Sequence, residues 1–116
     1  MHEYSVVQAL MEKIETLAKE NDATSISKVI VKIGVMSGIE PHLLELAFET
    51  FKERTICHKA EFIMDIQAVT ILCHSCQLPS ELENNHYICP ACKSPDLEVT
   101  DGEDMILMRL EMNSVT

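Results

Sequence analysis

Cys73-His74-Ser75-Cys76, followed after twelve residues (77–88) by Cys89-Pro90-Ala91-Cys92, decides how the rest of this 116-residue chain is read. Two thiolates separated by two residues turn on a tight knuckle and reach one metal at ~2.3 Å, and a second knuckle completes a tetrahedral set of four sulfurs. Cys73, Cys76, Cys89 and Cys92 are therefore the expected ligands of a Zn2+ ion. Four thiolates leave no open position for water, so the site reads as structural. A dithiol redox centre would more naturally place one CxxC at a helix start beside a strand, whereas both pairs here lie in turn-rich sequence. His74 within the first knuckle and His86 just before the second are the further side chains in reach of the metal. Residues 70–98, which carry all four cysteines, have few large apolar side chains and need a staple to fold.

The flanks of this stretch have a different character. Val6, Val7, Leu10, Met11, Ile14, Leu17 and Ala18 recur at helical spacing, which predicts a helix over residues 5–20. Ser5-Val6-Val7-Gln8 has the form of a capping box at its start. Residues 28–35 are β-branched and predict a strand, with Val29, Val31 and Ile33 on one face. Pro41 suits the first position of a second helix carrying Leu44, Ala47, Phe48 and Phe51. Alternation over Phe62–Ala68 predicts a second strand. The third spans 104–112, with Ile106, Met108, Leu110 and Met112 expected on one side. The expected fold class is α+β: a three-stranded sheet packed by two helices, formed by residues 1–69 plus 99–116, with a four-cysteine, zinc-ribbon-like domain inserted at 70–98.

Composition excludes several functions. With 9 Lys+Arg against 19 Asp+Glu the formal charge is −10, which opposes both the phosphate backbone of nucleic acids and anionic membrane surfaces. No apolar run approaches the ~18 residues that span a bilayer, and Met1-His2-Glu3-Tyr4-Ser5 lacks the basic region of a signal peptide. A cytoplasmic location is expected, where thiols stay reduced and clustered cysteines bind metal rather than form disulfides. Cys57, the fifth cysteine, reads as a small apolar residue.

The N-terminus has chemistry of its own. The Met1 α-amine, the amide of residue 2 and the His2 imidazole can close adjacent chelate rings on one ion. Nitrogen-rich sets of this kind favour Ni(II) or Cu(II). The large side chain at position 2 favours retention of Met1. Glu3 adds a carboxylate in reach, and on its own is also a favourable charge at a helix start. Met105, Met108 and Met112 in the last strand read as gap-filling core residues.

Met1-His2-Glu3-Tyr4-Ser5, the first helix, Gly34 followed by Ser37-Gly38-Ile39-Glu40-Pro41, then Leu46-Ala47-Phe48 and the late double CxxC together resemble the HypA family. These are nickel metallochaperones of [NiFe]-hydrogenase maturation, and the resemblance runs the length of the chain. It implies nickel held by His2, the Met1 amine and the backbone nitrogens of His2 and Glu3, with Glu40 a further contact in some members. It implies zinc on Cys73, Cys76, Cys89 and Cys92, and no catalytic residue. The implied partners are a nickel-handling GTPase and the hydrogenase large-subunit precursor, with urease maturation served by some members. Gln77-Leu78 and Lys93-Ser94 stand where some relatives carry a His after each CxxC, which weighs against Cys-for-His exchange at zinc. The competing readings are a zinc-ribbon adaptor without nickel traffic and, third, a thiol oxidoreductase.

Overall fold

The computed structural model describes residues 3–82 and 86–114. Helix α1 spans Glu3–Glu20 and strand β1 spans Ser25–Gly34. Helix α2 covers Pro41–Phe51 and closes with a 3-10 turn at Lys52–Arg54. Strand β2 (Glu61–Gln67) then leads into three short strands: β3 (Thr70–Cys73), β4 (Pro79–Glu81) and β5 (Leu97–Asp101). Strand β6 (Met105–Asn113) ends the fold. The strands form two sheets of three, ordered β2-β1-β6 and β4-β3-β5.

In the first sheet β1 pairs in parallel with β2, and α2 supplies the crossover that parallel neighbours require. Strand β6 returns antiparallel on the other side of β1. Val29, Val31 and Ile33 of β1 are buried against Val7, Leu10, Met11 and Ile14 of α1 and Leu44 and Phe48 of α2. Phe48 stacks on Phe62 of β2 with ring centroids 4.2 Å apart. Burial of these side chains stabilises the unit by ~1.5–3 kcal/mol each.

Two sequence expectations change. Helix α1 begins at Glu3, so Ser5 lies inside it and the capping box does not form; Glu3 instead occupies the first turn, where its charge suits the helix dipole. The β1–β6 register slips between Ile30 and Val31, leaving Met108 unmatched between Arg109 and Leu107. An extra residue in a strand reverses which face its neighbours share. Met105 and Leu107 therefore pack on the core before the bulge and Leu110 and Met112 after it, while Ile106 and Met108 are exposed. The insert contributes β3, β4 and the start of β5 to a sheet of its own.

Among the described residues that second sheet buries only Val69, Ile71, Cys73 and Cys89, with Cys76, Leu82, Leu97 and Val99 packed beside them. It extends the molecule to 55 × 28 × 17 Å, with a radius of gyration of 17.6 Å, against ~13 Å for a compact domain of this length. The end of β1 anchors both chain crossings between the sheets. Val35 N donates to Gln67 O (2.9 Å) on the outward crossing, and Met36 N donates to Gly102 O (2.8 Å) on the return. Gly34 and Gly102 make this approach feasible. A Cβ on Gly34 would lie 2.2 Å from Gly102 O, and Gly102 itself has φ +103°. Lys32 Nζ adds an ion pair to Asp101 Oδ2 at 2.8 Å.

Candidate metal centres

The two CxxC knuckles are structural twins. In each, the second cysteine's amide donates to the first cysteine's sulfur: Cys76 N to Cys73 Sγ at 3.5 Å, and Cys92 N to Cys89 Sγ at 3.4 Å. In each, the next residue donates back to the first cysteine's carbonyl, from Gln77 N and Lys93 N, both at 2.9 Å. Gln77 and Lys93 accordingly sit at φ 63° and 65°, a left-handed conformation that glycine would adopt with less strain. The Ser75 and Ser94 hydroxyls, 2.8 Å apart, join one knuckle to the other.

This geometry brings the four sulfurs within 4.8 Å of one another. Cys73 Sγ lies 3.5 Å from Cys92 Sγ and Cys76 Sγ lies 3.7 Å from Cys89 Sγ. A tetrahedron with metal–sulfur bonds of ~2.3 Å has edges of about 3.8 Å, so the sulfurs already stand at zinc-site spacing. All are free thiols. The Cys76 amide is the main influence holding the Cys73 thiol down, at about 6, and the Cys92 amide likewise lowers Cys89. The Ser94 amide favours the Cys92 thiolate, yet Cys73 and burial outweigh it and push that thiol up to about 12. Cys76 is also raised, since burial and the neighbouring sulfurs override the favourable Leu78 amide. Four thiols this close cannot all ionise without a cation among them; a dication removes that conflict.

Neither histidine joins the sulfur group. His74 turns both ring nitrogens to β5 and the segment before it, with Nδ1 3.0 Å from Asp96 Oδ1 and Nε2 3.4 Å from Glu98 Oε1. The Asp96 hydrogen bond, then that to Glu98, raises its pKa. This tie was not visible in sequence, because Asp96 and Glu98 are 22 and 24 residues away. His86 is exposed. Cys57 is fully buried in the core of the first unit, where burial and the Glu15 charge push its thiol up to about 11. That is the behaviour of an inert apolar filler.

Met1 and His2 lie outside the described residues, so the expected N-terminal ligand set is visible only through Glu3 and Glu40. The Glu3 carboxylate reaches the backbone of Glu40. Glu3 Oε2 accepts from the backbone N–H of Glu40 at 3.1 Å. Glu40 is also the N-cap of α2, its Oε2 accepting from Leu43 N at 2.7 Å, with Pro41 at the first helical position. Residue type alone did not point to this cap, since Ser, Thr, Asp and Asn are the favoured capping residues. The start of α1 and the start of α2 thus meet, and both present acidic side chains there.

The comparisons agree with this geometry. Residues 1–112 match the family model described as "Hydrogenase/urease nickel incorporation, metallochaperone, hypA". The chain belongs to the HypA family. It is 51% identical over 112 residues to the hydrogenase maturation factor HypA of Aquifex aeolicus, covering 97% of each chain. It is 54% identical to that of a Shewanella species, covering 97% of this chain and 95% of the relative. The solution structure of the Ni metallochaperone HypA from Helicobacter pylori aligns with a TM-score of 0.72 and 35% identity, covering 99% of this chain and all of that one. HypA proteins are nickel chaperones of hydrogenase maturation, and the four-cysteine cluster fits the structural zinc expected of this one. Among the described residues no helix is long and apolar enough to cross a membrane.

Proposed function

We propose that this chain carries Ni(II) on its N-terminus and delivers it to a [NiFe]-hydrogenase precursor, with Zn2+ held by Cys73, Cys76, Cys89 and Cys92 as a structural ion. The Met1 amine, the backbone nitrogens of His2 and Glu3 and the His2 imidazole supply the nickel ligands, and Glu40 stands by as a replaceable oxygen donor. The observation that supports this reading is the hydrogen bond from the Glu40 backbone N–H to the Glu3 carboxylate, which ties the start of α1 to the Glu40 segment. A carrier must hold its metal selectively and still release it. An amine–amide–imidazole set gives selectivity for a metal that prefers square-planar or tetragonal fields. Weaker oxygen donors at its margin give a route for exchange.

Zinc supplies the insert with the folding free energy that its few buried apolar residues cannot. The division proposed is a nickel unit of residues 1–69 plus 99–116, and an inserted zinc unit of residues 70–98. The chain has no catalytic role in this reading. It works in the cytoplasm with a nickel-handling GTPase and the hydrogenase large-subunit precursor, and its −10 charge raises encounter rates with partners that carry basic patches. Urease maturation is a second outlet for the same cargo.

Calorimetric titration with Ni(II) tests the reading. His2→Ala, and separately a short extension before Met1 that removes the free amine, each abolish one nickel site while zinc content and fold persist. Nickel affinity also falls as pH drops, because amine, amide and imidazole must lose protons to bind. Unchanged nickel affinity in both variants would overturn it and leave a zinc-ribbon adaptor.

A further inference from the structure

We propose that the groove between α1 and the outer edge of β6 receives an extended segment of a protein partner, one that alternates apolar side chains with Asp or Glu. Strand β6 lies at the edge of its sheet: β1 pairs with one side, and among the described residues no strand pairs with the other. Alongside that edge run two contiguous hollows of about 340 and 280 Å³, sharing Lys13 and Leu107 in their walls. Val6, Ala9 and Leu17 line the helix side, and Met105, Leu110 and Met112 the strand side. The four consecutive residues Leu107, Met108, Arg109 and Leu110 also border the groove. The free edge of β6 beside these hollows offers the backbone pairing that strand addition uses.

The charges of the wall select the occupant. In a chain with 19 Asp+Glu the groove is lined by two cations, Lys13 and Arg109, with the Glu111 carboxylate held on Arg109 at its margin. Arg109 Nη2 donates to Glu111 at 2.7 Å, while Lys13 has no ion-pair partner among the described residues. A second copy of this chain is a poor fit. A two-fold β6–β6 pairing would set cationic groove against cationic groove between molecules that each carry −10. An acidic strand meets both needs: a carboxylate for Lys13, and apolar residues for the methionine-rich wall, whose flexible thioethers adapt to varied shapes. The groove's far end is formed by Val6, one turn beyond Glu3, and Ile39, next to Glu40. On the nickel reading, a docked segment would therefore end beside the cargo; the docking itself does not depend on that reading.

A random library of displayed linear peptides, about twelve residues long and so able to span β6 at ~3.3 Å per residue, is panned against the full-length zinc-loaded protein. Enriched peptides alternate apolar residues with Asp or Glu and shift the amide resonances of residues 107–112. They bind Lys13→Glu about tenfold more weakly or worse, as expected when a charge pair becomes a like-charge clash, and bind Lys13→Arg almost as wild type. Absence of enrichment, selection of basic or uncharged sequences, or equal binding to Lys13→Glu would overturn the proposal. So would sedimentation showing that β6 is already occupied in a dimer. Ni(II) titration of Lys13→Glu, expected unchanged, separates the two ideas: selected peptides that bind a chain without nickel affinity would uphold the docking and remove only the nickel reading.

Discussion

The two sheets of this molecule contain three strands each and are held together by different physics. The β2-β1-β6 sheet rests on a continuous apolar core from Val7 to Phe62, shared by both helices and all three strands. The β4-β3-β5 sheet has strands of three to five residues, and two of its four buried residues are cysteines. One unit folds by removing hydrocarbon from water. The other has, in place of such a core, four sulfurs gathered at metal-binding distance. A metallochaperone thus keeps its resident metal in the unit that needs one to fold. Its proposed cargo lies on a unit that does not, so cargo can leave without unfolding anything.

The largest effect that would break this contrast comes from the sulfurs. Cys89→Ser, or removal of zinc by a strong chelator, should melt β3, β4 and β5, because apparent zinc binding supplies ~10–16 kcal/mol in small domains of this kind. Amide resonances of residues 70–101 should collapse while those of α1, β1 and α2 stay dispersed. Collapse of both sets would show that the first unit also depends on the metal. Phe48→Ala is the reciprocal test. Loss of its stack on Phe62 and the cavity left behind should cost ~3–5 kcal/mol, read as a lower denaturation midpoint for the first unit with zinc still bound.

The smallest effect concerns the tie between the units. The Lys32 hydrogen bond, then the Gly102 amide, hold the Asp101 carboxyl below the usual carboxylate range. A carboxylate depressed in the folded state stabilises it above the unfolded pKa, and the contribution is lost as pH falls through the folded value. Asp101→Asn should therefore lower stability modestly at neutral pH. The difference from wild type should shrink as the solution is acidified below the ordinary Asp range. A gap that persists in acid would show that the ion pair with Lys32 is not its source.

Several elements were legible before any coordinates. The helix spacing from Val6 to Ala18 and the alternation of Val29, Val31 and Ile33 survive in the fold because each reflects a single buried face. The strands of the insert were missed for the opposite reason. Thr70–Cys73, Pro79–Glu81 and Leu97–Asp101 are too short to show a period, and none has a wide apolar face. In β6 the alternation was visible but its meaning was not, since the bulge at Met108 depends on how β6 pairs with β1.

The same division holds at the metal centres. A CxxC knuckle is a local object: four residues fix where two sulfurs point, so spacing alone determined the quartet and suggested its metal. The meeting of Glu3 with Glu40, the turning of His74 toward Asp96 and Glu98, and the open edge of β6 beside Lys13 join residues remote in the chain. Sequence determined which groups this protein possesses. Only the packing of α1 against α2, and of β6 at the edge of its sheet, decided which of them face one another, because contacts between distant residues are set by the burial of everything between them.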